Sequence, residues 1–365
     1  MLIQLSHYFD RILTKGAILT VCCGVICAQA SVPANVENTS ISWVMQESGT
    51  TAGLRGVYSV DGKIAWASGT GGTVLRTNDG GEHWQKCAVP GPDGETLDFR
   101  GVLAWDAQTA IVMSSGTGDK SRLFETTDGC KTWSLLYKNP DKEGFWDGIR
   151  AHRRSNLLIL GDPVNGSFTL FDTHDGGKTW FRDRDVGLSS KIGEGAFAAS
   201  NSSIAELSDW PEIFGTGSPT GARLFRQCSA CREPAKWSTV PVEAFPASSS
   251  AGIFSLEFRG LQFGVAVGGD YTKPNEASGT AAYTTDGGKT WTASTKTPHG
   301  YRSSVAWSED LKAWITVGTN GSDISRDDGK TWEPMDDGNW NALSLPFVVG
   351  PKGRIARLSV SPKKP

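Results

Sequence analysis

The chain has 365 residues and a formal charge of −3, with 44 glycines and 14 tryptophans. That length fits two average domains or one large β architecture, and the glycines and tryptophans, with few helix-forming runs, favour aromatic-rich strands joined by many turns. The near-neutral balance lacks the basic stripe of a nucleic-acid footprint, so no nucleic-acid partner is expected.

Residues 1–30 read as a segment of their own. Arg11 and Lys15 precede the uncharged run GAILTVCCGVICAQA, which closes on Ala28-Gln29-Ala30 before Ser31. This is the pattern of a signal peptide cleaved after Ala30. As a membrane anchor the run falls short of the roughly 20 residues a span needs. Cys27 follows Gly24-Val25-Ile26 rather than the Leu-x-small triplet of a lipoprotein. Residues 31–365 are expected as a single extracytoplasmic domain, periplasmic or secreted, with no stable membrane span once the signal is removed. Four cysteines then remain: Cys87, Cys130, Cys228 and Cys231. In an oxidising compartment the Cys228-x-x-Cys231 pair suits a local disulfide. Cys87 and Cys130 stay open, and no second ligand pair supports a metal site.

From Thr77 onward the chain repeats an octapeptide. The copies are TNDGGEHW (Thr77 to Trp84), TTDGCKTW (Thr126 to Trp133), THDGGKTW (Thr173 to Trp180), TTDGGKTW (Thr284 to Trp291) and SRDDGKTW (Ser325 to Trp332). The gap from Trp180 to Trp291 is about twice the others, and Trp237, closing RQCSACREPAKW, supplies a degenerate sixth copy. The copies then recur every 40 to 57 residues or so, the range of one four-stranded propeller blade.

The second unit shows the grammar. FRGVLAW, TAIVMSS, SRLFETT and TWSLLY read as four successive strands, with the octapeptide as the hairpin between the third and fourth. Asp79, Asp128, Asp175, Asp286 and Asp327 are placed to accept backbone N–H groups of the turn, and the glycines supply φ > 0. The tryptophan covers the apolar side of the hairpin. At the ends, ISWVMQES offers a fourth strand without predecessors, and NALSLPFVVGPKGRIARLS offers three strands without a closing hairpin. Joined, they make a seventh blade that removes the exposed edges of an open ring. The expected fold is all-β, a seven-bladed β-propeller.

These octapeptides resemble the Asp-box, or BNR, repeat, whose pattern is Ser/Thr-x-Asp-x-Gly-x-Thr-Trp. Over essentially the whole mature length the chain is similar to the photosystem II stability/assembly factor-like proteins, and more distantly to sialidase-like propellers. The first resemblance implies a non-enzymatic binding or assembly module. The second implies a glycoside hydrolase.

Candidate functional residues come from aligning the blade starts. RGVYSV, RGVLAW and RSSVAW set Arg55, Arg100 and Arg302 at one register. In the third blade that position falls at Trp146 and Asp147, and in the fourth at Glu194. Loops add Asp162, Asp270 and Tyr271, with Tyr301 beside Arg302. Guanidinium forks around a mouth suit a carboxylate or phosphate, unless Asp147, Glu194 or Asp162 already pairs them in a structural ring. A hydrolase would draw on Asp147, Glu194 and Tyr301, with two carboxylates facing one sugar bond. The Arg-Ile-Pro motif of sialidases is missing, GTGG and GTGDKS lead into no helix, and no Gly-x-Ser-x-Gly elbow occurs. The insert ASNSSIAELSDWPEIFGTGSPTGA and the loop DYTKPNEASGT are expected to project from the ring. The sequence thus reads as a monomeric assembly or binding module, taking a protein partner or an anionic or glycan ligand at an arginine-lined mouth, without cofactor or metal. Glycoside hydrolase is the alternative.

Overall fold

A computed structural model describes residues 39–89, 96–183, 187–207, 212–227 and 237–362. The signal-peptide reading and the Cys228–Cys231 pair lie outside them.

The fold is built from the octapeptide upward. In each copy the opening hydroxyl accepts an N–H from the residue four positions on: Gly81 on Thr77, Cys130 on Thr126, Gly177 on Thr173, Gly288 on Thr284 and Gly329 on Ser325, all at 2.9–3.0 Å. The aspartate Oδ1 accepts the N–H four residues further along, as at Thr132, Thr179, Thr290 and Thr331, and Oδ2 takes the threonine hydroxyl there. In the first copy His83 replaces that threonine and bonds Asp79 through Nδ1 at 2.8 Å. Such accepted bonds stabilise the ionised carboxylate. The Thr132 hydroxyl and N–H hold Asp128 down at about 2. Gly80 and Gly81 have φ of 80° and 89°, the left-handed region glycine enters without steric cost. Cys130 takes the second glycine's place with φ 65°.

Strand β1 (Thr39–Gln46) precedes the first blade, which comprises β2 (Leu54–Ser59), β3 (Ala65–Gly69), β4 (Thr73–Thr77) and β5 (Gln85–Ala88). The second holds β6 (Phe99–Ala104), β7 (Ala110–Ser114), β8 (Arg122–Thr126) and β9 (Ser134–Lys138). The third holds β10 (Trp146–Arg153), β11 (Asn156–Val164), β12 (Ser167–Thr173) and β13 (Phe181–Arg182). The fourth comprises β14 (Ile204–Glu206), β15 (Glu212–Gly215), β16 (Ala222–Gln227) and β17 (Trp237–Val242). Blade five follows with β18 (Ala251–Arg259), β19 (Phe263–Asp270), β20 (Ala281–Thr284) and β21 (Thr292–Ala293). Blade six is β22 (Ser304–Ser308), β23 (Ala313–Gly318), β24 (Gly321–Ser325) and β25 (Glu333–Asp336). The last combines β26 (Ala342–Ser344), β27 (Phe347–Val349) and β28 (Ile355–Pro362) with β1, giving seven four-stranded antiparallel sheets. Strand β1 pairs with β28 from Thr39↔Pro362 to Gln46↔Ile355. No helix among the described residues is long and apolar enough to cross a membrane.

The core consists of apolar wedges between neighbouring blades. One contains Trp66, Val74 and Cys87 from the first blade with Phe99, Val112 and Trp133 from the second. Another joins Leu160 and Phe168 to Phe214 and Phe225 across blades three and four. Three of the hairpin tryptophans reach across such a wedge, while Trp180 and Trp291 also donate their indole N–H to Gly177 and Gly288 of their own hairpins. Trp133 meets Trp66 edge-on at 6.3 Å, Trp180 stacks on Tyr137 at 5.1 Å, and Trp84 meets Phe347 at 5.7 Å, each on the preceding blade. An aromatic ring removes on the order of 200 Å² from water, several kcal/mol per ring. One wedge also carries a covalent link, a Cys87–Cys130 disulfide with Cα atoms 5.5 Å apart.

Candidate functional site

The inner strands of blades one, two, three and five share one irregularity. Their ladders skip a residue between Leu54 and Gly56, Phe99 and Gly101, Trp146 and Gly148, and Ile253 and Ser255. The residue before each skip is fully buried. The extra residue leaves the ladder, and such a bulge re-aims its side chain. Arg55, Arg100, Asp147 and Phe254 are the four extra residues, and all line one cavity of about 450 Å³ at a mouth of the ring. In three of the four a glycine follows. A Cβ on Gly56 would stand 2.8 Å from the Arg100 carbonyl oxygen, and one on Gly101 2.9 Å from Asn201 Oδ1. The Arg-Gly and Asp-Gly dipeptides were therefore a readable signal for the bulge. Phe254, which no arginine alignment picks out, is the member that sequence reasoning missed.

Charge in this mouth is only partly balanced. Arg100 donates from Nε to Asp98 at 2.8 Å and from Nη1 to the Ala198 carbonyl at 3.1 Å. Arg55 makes no hydrogen bond or ion pair among the described residues; burial, and then the neighbouring Arg100, lower its pKa. Asp147 is 1% exposed, and its Oδ2 has no hydrogen-bond partner among the described residues. Burial, followed by repulsion from Asp162, pushes its carboxyl well above the usual range. Burial also raises Asp162 to about 6, although its Oδ1 accepts the Ala196 N–H at 3.0 Å. Phe145, Phe197, Tyr271 and Tyr301 complete an aromatic wall, with Phe197 stacked on Phe254 at 3.7 Å and Tyr301 edge-on to it at 4.8 Å.

Part of the insert expected to project outward runs instead through the ring. Just upstream of it, Phe197 reaches blade five and the Ala198 carbonyl meets Arg100 of blade two. Ser200 Oγ donates to the Ser303 carbonyl, Asn201 Oδ1 accepts the Ile149 N–H at 2.8 Å, and Ser202 Oγ donates to Ser255 Oγ at 2.7 Å. Later parts of the insert form β14 and β15. The segment from Ala196 to Ser202 is a plug. Ala196–Ala199 face the arginine mouth, while Ser200–Ser202 face a second cavity of about 430 Å³ on the other side.

The structure brings together Arg55, Arg100, Asp147, Asp162, Tyr271 and Tyr301 of the sequence-derived set. The others are corrected by their surroundings. Arg302 is off the register of Arg55 and Arg100 because β22 begins two residues later without a bulge. It is fully buried, bonds Asp323 through Nε at 2.7 Å, and donates to Asn320 Oδ1 and the Tyr301 carbonyl. Trp146 is a core residue stacked on Tyr137 at 5.6 Å. Glu194 opens no inner strand; that of blade four starts at Ile204. Burial opposes its ionisation, but the Arg223 fork, the Lys191 N–H and the Thr216 hydroxyl outweigh this and lower its pKa. Asp270 accepts the N–H and hydroxyl of Thr272 as a turn residue. Tyr301 is 4% exposed and burial pushes its phenol far up, whereas Glu194 stands outside the cavity that Asp147 and Tyr301 line. The hydrolase trio Asp147, Glu194 and Tyr301 therefore does not assemble as a catalytic set.

Seven four-stranded blades, five of them carrying Asp-box hairpins, make the chain a seven-bladed β-propeller, similar to the photosystem II assembly factors. The model of the BNR/Asp-box repeat matches residues 282–293. The photosystem II assembly lipoprotein Ycf48 of Synechococcus sp. (strain CC9902) is 22% identical over 335 residues, covering 87% of this chain and 89% of the relative. Among solved structures, YCF48 bound to D1 peptide aligns with a TM-score of 0.60 and 17% identity over 90% of this chain and 98% of its own. YCF48 from Cyanidioschyzon merolae aligns at 0.58 and 19% over 87% and 98%. At these identities the structural likeness carries the fold.

Proposed function

We propose that the chain is an extracytoplasmic assembly module that holds a protein partner through an anionic group, such as an acidic or C-terminal peptide segment, in the Arg55–Arg100 mouth. The observation that carries this reading is Arg55, a desolvated guanidinium without a hydrogen-bonding or ionic partner among the described residues. Desolvating a cation whose nearby acid, Asp98, is already bonded to Arg100 is costly, and a bidentate carboxylate would offset that cost. The aromatic wall suits the side chains flanking such a group. A peptide-bound structure of YCF48 supports a protein partner. The Cys87–Cys130 disulfide supports an oxidising compartment, in keeping with a signal peptide over residues 1–30.

Fluorescence anisotropy with a labelled acidic peptide, free or amidated at its C-terminus, and with the D1 peptide tests the reading. Arg55→Ala should weaken the free-carboxylate peptide at least tenfold, about 1.4 kcal/mol, and Arg55→Lys should recover part of the loss. Equal binding by wild type and Arg55→Ala overturns it. The hydrolase alternative rests on Asp147 and Asp162, two carboxyls with raised protonation in one cavity. Turnover of any glycoside that disappears in Asp147→Asn would favour it.

A further inference from the structure

The plug leaves a second chamber on the opposite side of the ring. Its walls are the distal halves of the inner strands, and among its lining groups are Tyr58, Arg150, Glu206, Glu257, Trp307 and Ser344. Their charges do not cancel. Glu206 is already engaged, by His152 Nδ1 and by Arg150 at 3.7 Å. Arg150 is turned to that carboxylate, and its Nε is buried without an acceptor among the described residues. Glu257 receives the Trp307 backbone N–H on Oε2 at 3.1 Å and has no salt bridge among the described residues. The chamber therefore holds one carboxylate more than its own cation neutralises.

We propose that this chamber is a second binding site, separate from the arginine mouth, for a single ammonium group on an alkyl arm. The ammonium pairs with the free oxygen of Glu257 and the arm lies along the apolar lining of the chamber, which includes Val305 and Leu345. An anion is disfavoured because Glu206 and Glu257 both face it. Two sources share this chemistry, a lysine side chain of a polypeptide and a free alkylamine.

Protonation gives the site a signature. Burial pushes Glu257 up to about 7, with the Trp307 N–H and Arg150 pulling the other way. The charged groups around it are Arg150 and His152 on β10, Glu206 on β14, Glu212 on β15, Arg259 on its own strand and Glu309 after β22. An alkylammonium keeps its proton past pH 9, so binding should strengthen about tenfold between pH 6 and 8 as Glu257 ionises, releasing protons.

The test is calorimetric titration of the full chain with N-acetyl-lysine methylamide and with n-butylamine at pH 6 and pH 8. Saturable binding of either supports the site, and a preference for the lysine amide assigns it to a polypeptide. Glu257→Gln, close to isosteric and checked for an unchanged thermal transition, should weaken binding at least tenfold and abolish its pH dependence. Arg55→Ala and Arg100→Ala should change it less than twofold, which separates this site from the peptide-binding mouth. No saturable binding of either amine at pH 8, or undiminished binding by Glu257→Gln, overturns the proposal.

Discussion

Arg55 and Arg302 carry the same guanidinium into opposite environments. Arg302 has a carboxylate, an amide oxygen and a carbonyl around it, all buried. Replacing it with alanine leaves the buried Asp323 with His299 as its remaining partner, so Arg302→Ala should cost about 3 kcal/mol in chemical denaturation. Loss of partner capture in that variant would report unfolding. In the mouth the titratable residues are Asp147 and Asp162. The folded-state pKa of Asp162 lies near 6, above its ordinary carboxylate value, so the native state holds this proton more tightly than the unfolded chain does. Stability from this group is present at low pH and is lost as pH rises through about 6. Asp162→Asn, which keeps an oxygen for the Ala196 N–H, should raise the melting temperature at pH 8 and leave it unchanged at pH 4. The same ionisation places negative charge in the cavity that Arg55 also lines. A peptide carboxylate, ionised well below pH 5, should therefore bind several-fold more tightly at pH 5.5 than at pH 8, and Asp162→Asn should flatten that dependence. Residue identity made these groups visible in the sequence. Whether a carboxylate or only solvent stood opposite each arginine was not visible there.

At the scale of the element, the bulge and the plug determine what the mouth contains. The bulge was half legible: Arg-Gly at Arg55 and Arg100 and Asp-Gly at Asp147 mark it, whereas Arg302 is followed by Ser303 and precedes a regular strand. The plug was not legible. Ala-Ser-Asn-Ser-Ser has the polarity of a surface loop, and only its partners on blades three, five and six satisfy that polarity inside the ring. Asn201, with φ 63°, is its anchor on Ile149. Asn201→Ala leaves a buried N–H without an acceptor, a cost of about 1–3 kcal/mol. Hydrogen exchange at the Ile149 amide should accelerate accordingly, while the amides of β23 in blade six stay protected.

Across the whole molecule, stability is distributed over wedges between blades, so links between neighbours matter more than any one core residue. The Cys87–Cys130 bridge joins the first two blades across a sequence separation of 43. Loop-closure entropy for such a link is about 4 kcal/mol in the chain-entropy limit. Cys87→Ser with Cys130→Ser, or reduction of the native protein, should lower unfolding free energy by about 2–4 kcal/mol in guanidinium titrations without altering the β content seen by circular dichroism. The sequence by itself determined the number of blades, the five Asp-box hairpins and the strand order within a blade. Those features rest on hydrogen bonds and alternation among residues a few positions apart, which a linear pattern records directly. Only the tertiary structure decided that Cys87 pairs with Cys130, that Ala196–Ser202 divides the channel, and that Arg55 stands unpaired among the described residues while Arg302 is neutralised. Each of these depends on groups brought together by ring curvature from distant parts of the chain, such as Arg100 against Ala198, and no local pattern encodes that proximity.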